Sequence, residues 1–186
     1  MTDPGPVPLL FGFRGIRFLQ VVVATAAGAL AISGVLVLNL YLDEKQPLML
    51  LMAIFFGMLF LWLFGMALRL PTSFVAISPD RMRIRFGGFV DTIVETNDVL
   101  GARLVPWNWW RGLGVRTAFG GDVALVAAWG TAAEITLKRP IRVWLLPRLW
   151  RVSATRVVVS VRNPQKLADR FGPVKNEPAK KKGRRK

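Results

Sequence analysis

Two long apolar runs without charge dominate the first third of the chain. They are residues 18–42 (FLQVVVATAAGALAISGVLVLNLYL) and residues 48–68 (LMLLMAIFFGMLFLWLFGMAL), joined by the polar connector DEKQP. A helix needs about 20 apolar residues to cross the hydrocarbon layer of a membrane. The pattern therefore predicts a transmembrane hairpin over residues 18–70, with spans at about 18–42 and 48–69.

The alternative for the first run is a cleaved signal peptide. The run is longer than the ~7–15 apolar residues of such a peptide, and it leads into a second span, so we expect it to be retained. Basic residues set the orientation, because Arg14 and Arg17 precede the first span and Arg69 follows the second. The positive-inside rule then predicts that both termini are cytoplasmic, with residues 1–17 as a cytoplasmic N-terminal segment.

Residues 71–172 show short alternating runs instead. In RMRIRF, for example, Met82, Ile84 and Phe86 alternate with arginines, which is typical of a half-buried strand. Similar runs lie at 74–78, 92–95, 99–105, 123–129, 133–138 and 155–161. Asn163-Pro164 then begins a helix that ends at Gly172-Pro173. The pattern predicts about seven short antiparallel strands and one C-terminal helix.

Composition narrows the classes of function. The chain has no Cys and no His, which removes disulfides, thiolate chemistry, the usual general base and the commonest metal ligands. The carboxylates after the second span include no pair whose spacing indicates convergence. We therefore expect neither an enzyme nor a cofactor. A chain that is 53% hydrophobic, with 26 Lys and Arg against 11 Asp and Glu, indicates a membrane protein.

Four segments carry a resemblance to a known family. They are ISPD (77–80), GLGVR (112–116), the hairpin from 124 to 135, and the strand-to-helix junction VSVRNPQKL (159–167). With them, residues 71–172 resemble the bacterial pleckstrin-homology-like (PH-like) domains. The resemblance implies a cytoplasmic, partly open β-barrel of two roughly orthogonal sheets, closed at one end by the C-terminal helix, that binds rather than catalyses. One difference is that residues 139–154 are longer than the tight hairpin usual in that family.

The expected fold class is thus membrane α plus β: a two-helix transmembrane hairpin, then a PH-like, seven-stranded, partly open β-barrel with a C-terminal capping helix. Residues 173–186 follow as a disordered basic tail, because they contain no large apolar anchor.

Two segments of the β domain combine tryptophan with arginine. They are PWNWWRGLGVRT (106–117) and RPIRVWLLPRLWRVSA (139–154). Tryptophan is enriched at the boundary between water and lipid, and arginine can reach phosphates while its stem lies on apolar surface. The candidate residues for contact with a membrane interface or a partner are Trp107, Trp109, Trp110, Arg111, Trp144, Arg148, Trp150 and Arg151. Packing of these rings at the end of the barrel is the alternative, and Arg116 is expected to pair with a carboxylate or with strand carbonyls.

The tail holds the second candidate site, which would bind a polyanion. Its residues are Lys180, Lys181, Lys182, Arg184, Arg185 and Lys186. Anionic lipid is the nearest polyanion to a chain tethered in a membrane. The tail could instead serve only topology and solubility, or bind nucleic acid without sequence readout, which we favour least.

The sequence therefore predicts a non-catalytic, multi-pass protein of the bacterial inner membrane. It would display a PH-like binding or scaffolding module at the cytoplasmic face, with anionic inner-leaflet lipids as partners. One alternative is an accessory subunit that docks a protein partner through the Trp/Arg segments. The small residues Thr25, Ala29 and Ser33 of the first span favour its close packing on the second span of the same chain, and a homo-oligomer formed through them is the alternative.

Overall fold

The computed structural model of the chain describes residues 8–118, 121–145 and 150–174. Over these residues it contains three α-helices and nine β-strands. The helices are α1 (Ile16–Glu44), α2 (Pro47–Arg69) and α3 (Pro164–Phe171). The strands are β1 (Leu9–Gly12), β2 (Phe74–Ile77), β3 (Arg81–Phe86), β4 (Val90–Glu95), β5 (Val99–Trp107), β6 (Gly114–Ala118), β7 (Asp122–Val126), β8 (Gly130–Leu145) and β9 (Trp150–Val159).

Helices α1 and α2 form a hairpin that contains the two predicted spans. Both helices are long and apolar enough to cross a membrane. In their most apolar stretches only 6% and 0% of the residues are buried, whereas a core helix of a soluble protein would be mostly buried. The turn between them needs only two residues, because Lys45 adopts a left-handed conformation and Pro47 begins the second helix. The hairpin therefore presents an apolar surface that no part of the described chain covers.

The strands form two sheets, and here the fold departs from the predicted seven-stranded, partly open barrel. The four-stranded sheet has the order β1-β2-β3-β4 and the five-stranded sheet the order β5-β8-β9-β7-β6. Over the described residues the two sheets do not close into a barrel. The prediction of purely antiparallel strands is also wrong, because β7 and β9 are parallel.

Strands β1 and β6 are the two that the alternation of residues did not reveal. Strand β1 has only four residues, LLFG, which merge into the apolar stretch ahead of α1, so they show no period of two. It pairs with β2, with Leu9 opposite Ile77 and Gly12 opposite Phe74. Strand β6 starts at Gly114, which has a positive φ of 92°, inside a segment rich in Trp and Gly.

The segment 139–154, predicted as an insertion between strands, instead lengthens the hairpin of β8 and β9. Residues 141–145 of β8 pair with residues 150–154 of β9, after a register shift between Thr136 and Ile141. At this shift the Lys138 ammonium donates a hydrogen bond to the Asn97 carbonyl, beside the start of β5. The hairpin then continues next to β4.

The core lies between the two sheets and is closed at one side by α3. Phe86 and Ile84 of the first sheet and Leu125 and Ile135 of the second are fully buried. The predicted C-terminal helix is present, and it buries Leu167 in the same core.

Both apolar helices attach to the same end of this β body. Gly15, at the start of α1, has φ 71°, and a Cβ there would lie 2.6 Å from the Ala127 carbonyl oxygen. Leu70, directly after α2, is fully buried. We call this region, residues 13–19, 69–73, 87–89 and 127–131, the helix-bearing end.

Candidate functional site

Two buried serines fasten the helices to the β body. The Ser73 hydroxyl donates to the Leu70 carbonyl at 2.6 Å and accepts from the Gly87 N–H at 2.7 Å, which joins the end of α2 to the turn between β3 and β4. The Ser160 hydroxyl accepts a hydrogen bond from the Ala127 N–H at 2.8 Å, and the Ser160 backbone carbonyl accepts one from the backbone N–H of Arg14. The orientation of the helix-bearing end relative to the spans is therefore set by buried hydrogen bonds.

The first Trp/Arg segment lies at the helix-bearing end. Trp107 ends β5 directly opposite Gly130 of β8, and Gly130 lies against the Arg14 guanidinium. That guanidinium also donates to the Trp129 and Thr131 carbonyls. The short 3₁₀ turn Trp109–Arg111 follows Trp107 after one residue, so it belongs to the same end.

The three tryptophans of this segment have different environments. Trp107 is only 8% exposed, and its indole N–H donates to the Gly112 carbonyl at 2.9 Å. Trp109 and Trp110 are 72% and 66% exposed and meet edge to face, with ring centroids 6.1 Å apart. The Arg111 guanidinium lies 5.3 Å from the centroid of the Trp107 ring. One ring thus anchors the turn, and the other two project from it.

Two further exposed aromatic residues stand at this end, and the sequence analysis did not select them. Phe18, in the first turn of α1, is 53% exposed, and Trp129 is 46% exposed. Their ring centroids are 6.1 Å apart. The sequence analysis took Trp129 as the last residue of the predicted strand 123–129, whereas β7 ends at Val126.

The second Trp/Arg segment reaches the helix-bearing end through the second half of β8, which belongs to the same five-stranded sheet as Trp107. Trp144 lines a cavity together with Arg69 at the end of α2 and with the glycines of the β3–β4 turn. Arg151 lies opposite Trp144 in the ladder, and its guanidinium stacks 3.9 Å from the ring centroid, a cation–π contact. Trp150 begins β9 opposite Leu145, and Arg148 lies outside the described residues.

The cavity beside Trp144 has a volume of about 510 Å³. Its lining residues are Arg69, Arg85, Gly87, Gly88, Phe89, Val90, Asp91 and Trp144. The only carboxylate among them, Asp91, accepts two hydrogen bonds from Arg83 at 2.8 and 2.6 Å. These bonds lower the pKa of Asp91, with the charges of Arg83 and Arg85 acting in the same direction and partial burial opposing them. Asp91 therefore stays ionised and paired.

A second cavity, of about 420 Å³, lies on the five-stranded sheet beside Trp107 and contains charges of both signs. Its carboxylates are already paired, Glu134 with Arg103 at 2.7 Å and Asp122 with Arg156 at 2.8 Å. Arg116 also lines this cavity and lies against Gly112. Among the described residues its guanidinium has no carboxylate or carbonyl partner of the kind expected from the sequence.

The second candidate site, the basic tail from Lys180 to Lys186 predicted to bind a polyanion, lies outside the described residues. Among the residues that the structure describes, no group of three or more acidic side chains could hold a metal ion. No family model, curated protein or solved structure matches the chain. The PH-like resemblance therefore stays a prediction.

Proposed function

We propose that the protein is a non-catalytic module anchored by two membrane spans, which holds its β body against the cytoplasmic face of the bacterial inner membrane. There it serves as a binding or scaffolding surface. The observation that carries this proposal is the position of its exposed aromatic and cationic side chains. They lie at the end of the β body from which the two apolar helices emerge.

The geometry supports contact of this end with lipid. When α1 and α2 lie in the bilayer, the first turn of α1 and the last turn of α2 stand at the membrane surface. Phe18, Trp109, Trp110 and Trp129 then lie near that surface, where the amphipathic indole ring is favoured. Exposure of four large rings to water would be unusual for the surface of a soluble domain.

The charges favour a cytoplasmic position for the β body. Arg14 and Arg17 at the start of α1 and Arg69 at the end of α2 lie at the helix-bearing end. The opposite end of the hairpin carries Asp43, Glu44 and Lys45. By the positive-inside rule the helix-bearing end faces the cytoplasm, and both termini lie on that side.

Topology can be tested with a reporter that is active only outside the cytoplasm. We expect activity when the reporter is inserted after Lys45 and no activity when it is fused after Lys186, because the basic residues retain the β body inside. A cytoplasm-active reporter at the same two positions is the control, with the opposite result. Activity of the first reporter at the C-terminus would overturn the orientation and the inner-leaflet contact together.

Lipid contact of the exposed tryptophans can be tested by spin labelling, since the native chain has no Cys. We expect a nitroxide on Trp110→Cys, in the full-length protein in vesicles, to be accessible to dissolved oxygen and shielded from an aqueous nickel complex. Asn97→Cys is the control, because Asn97 is exposed just before β5 and Trp110 follows the other end of that strand. The Asn97 label should be fully accessible to the aqueous nickel complex.

The same measurement separates the second candidate function, docking of a protein partner. Exposed tryptophan beside arginine is also typical of the centre of a protein interface, and Trp109, Trp110 and Arg111 fit that description. A Trp110 label as accessible to water as the Asn97 label would contradict lipid contact and favour a protein partner. Tethering of nucleic acid would depend on the tail, and no described residue supports it.

A further inference from the structure

We propose that Arg69, Arg85 and Trp144 form a binding site for the phosphate group of an anionic phospholipid in the leaflet next to the β body. The site is the cavity of about 510 Å³ between the end of α2, the β3–β4 turn and the second half of β8. This inference deepens the proposed function and rests on its membrane anchoring. It names one ligand and one place on the helix-bearing end.

The cavity carries an excess of positive charge. Arg69 and Arg85 both line it, and within the described part of the chain neither guanidinium has a hydrogen bond or an ion pair. Asp91 makes its two hydrogen bonds with Arg83, whereas Arg85 acts on it through charge without a hydrogen bond or an ion pair. Two guanidinium groups are therefore left for an anion, and the planar donor pattern of arginine suits phosphate oxygens.

The β3–β4 turn keeps Arg69 at the cavity. A Cβ on Gly88 would lie 3.1 Å from the Arg69 Cδ and 3.2 Å from the Met66 Sδ. Since Gly88 has no side chain, the stem of Arg69 can lie directly across the turn. The same turn is bonded through the Gly87 N–H to Ser73, so the turn and the end of α2 have a fixed relative position. The stem of Arg69 is thus held beside the cavity, while its exposed guanidinium can reach an anion.

The surroundings favour a lipid over a soluble phosphate compound. Arg69 is the last residue of α2, so the cavity opens where an apolar helix ends. Leu68 and Phe64, within the last turns of that helix, are 60% and 43% exposed, which continues the apolar surface away from the cavity. Half-buried Trp144 and Phe89 supply an apolar wall at headgroup level. A phospholipid matches this order, because its phosphate, glycerol and acyl chains meet charged, aromatic and aliphatic surface in turn.

The test measures lipid binding to the full-length protein in mild detergent. The probes are short-chain phosphatidylglycerol, short-chain phosphatidylcholine and inorganic phosphate, with calorimetry as the readout. We expect phosphatidylglycerol to bind most tightly. Arg69→Gln and Arg85→Gln should each weaken its binding about tenfold, since each removes a charge-assisted hydrogen bond.

Arg81→Gln is the matched control. Arg81 lies on the same outward face of β3 as Arg85 but four residues away, opposite Glu95 and outside the cavity lining. Arg81→Gln removes the same charge as the two test variants, but at a position outside the cavity. Its affinity for phosphatidylglycerol should therefore stay within about twofold of that of the unmodified protein. Gly88→Ala is a second test that keeps every charge, because the added methyl group would lie 3.1 Å from the Arg69 Cδ and shift the stem of Arg69 slightly. We expect phosphatidylglycerol binding of this variant to weaken by less than that of Arg69→Gln, since the guanidinium is retained. Near-ultraviolet circular dichroism should show an unchanged β body in all four variants.

Three results would overturn the proposal. Equal weakening by Arg81→Gln would mean that only overall charge matters. Inorganic phosphate that binds as tightly as phosphatidylglycerol, with the same dependence on Arg69 and Arg85, would overturn the assignment to lipid. If phosphatidylglycerol binding were unchanged in both arginine variants while the Trp110 label remained in lipid, this site would be rejected. Contact of the helix-bearing end with the membrane would still be supported. A Trp110 label in water would instead reject the proposed function itself.

Discussion

Replacement of Phe13 by Ala should destabilise the β body by about 3–5 kcal/mol, the usual cost of truncating a buried large aromatic residue. Phe13 is 1% exposed and meets Phe86 edge to face, with ring centroids 4.9 Å apart. Between β1 and the start of α1, its backbone also forms an isolated antiparallel bridge with Val161, two residues after the end of β9. Phe13 therefore ties the chain ahead of α1 both to the four-stranded sheet and to the segment that follows β9.

The measurement is denaturant unfolding of the full-length protein in detergent, followed by tryptophan fluorescence. Leu10→Ala is the control, because Leu10 lies three residues earlier, in β1, and is 69% exposed, so its truncation should lower the free energy of unfolding by less than about 1 kcal/mol. If both variants unfolded at the same denaturant concentration, the segment ahead of α1 would contribute nothing to the core. The N-terminal segment would then be an independent arm.

Trp107→Ala should also lower the free energy of unfolding by about 3–5 kcal/mol, because it removes a buried ring. It further leaves the Gly112 carbonyl without the hydrogen bond from the indole N–H, which is 2.9 Å long. The ring packs against Val126 and Ala132 in a small cluster on the five-stranded sheet, so a cavity would remain on that face. The same denaturant unfolding in detergent measures this loss.

The neighbouring tryptophans provide the comparison for that experiment. Trp109→Ala and Trp110→Ala should each change the free energy of unfolding by less than about 0.5 kcal/mol, as is usual for exposed positions. Together they should weaken lipid contact rather than folding. A loss of stability equal to that of Trp107→Ala would show that these rings are packed against the body in solution.

Only part of the candidate site could be predicted from the sequence. The mixture of Trp and Arg in two segments indicated a shared kind of surface, and the structure brings Trp109 and Trp144 to the same end of the β body. Nothing in PWNWW distinguishes the ring that anchors the turn from the two that project. Arg69 and Arg85 lie outside both segments, and they become neighbours only because the β3–β4 turn folds against α2.

The sequence by itself determined the elements whose signals are local. The two helices follow from uninterrupted apolar runs, which must satisfy their backbone hydrogen bonds internally wherever water is absent. Most strands follow from alternation, and α3 follows from Asn163-Pro164 and Gly172, because these signals act within one turn or one strand.

Only the tertiary structure decided the features that depend on pairing between distant segments. Strand β1 has four residues without alternation, and it becomes a strand because β2 supplies its hydrogen-bond partners beyond the entire helical hairpin. The parallel pairing of β7 with β9 and the approach of the second half of β8 to β4 also join segments that are far apart in the chain. Strand register and the approach of two sheets are set by the whole core, and no local pattern encodes them. For that reason the cavity at Arg69, which needs three such elements at once, could be found only in the folded chain.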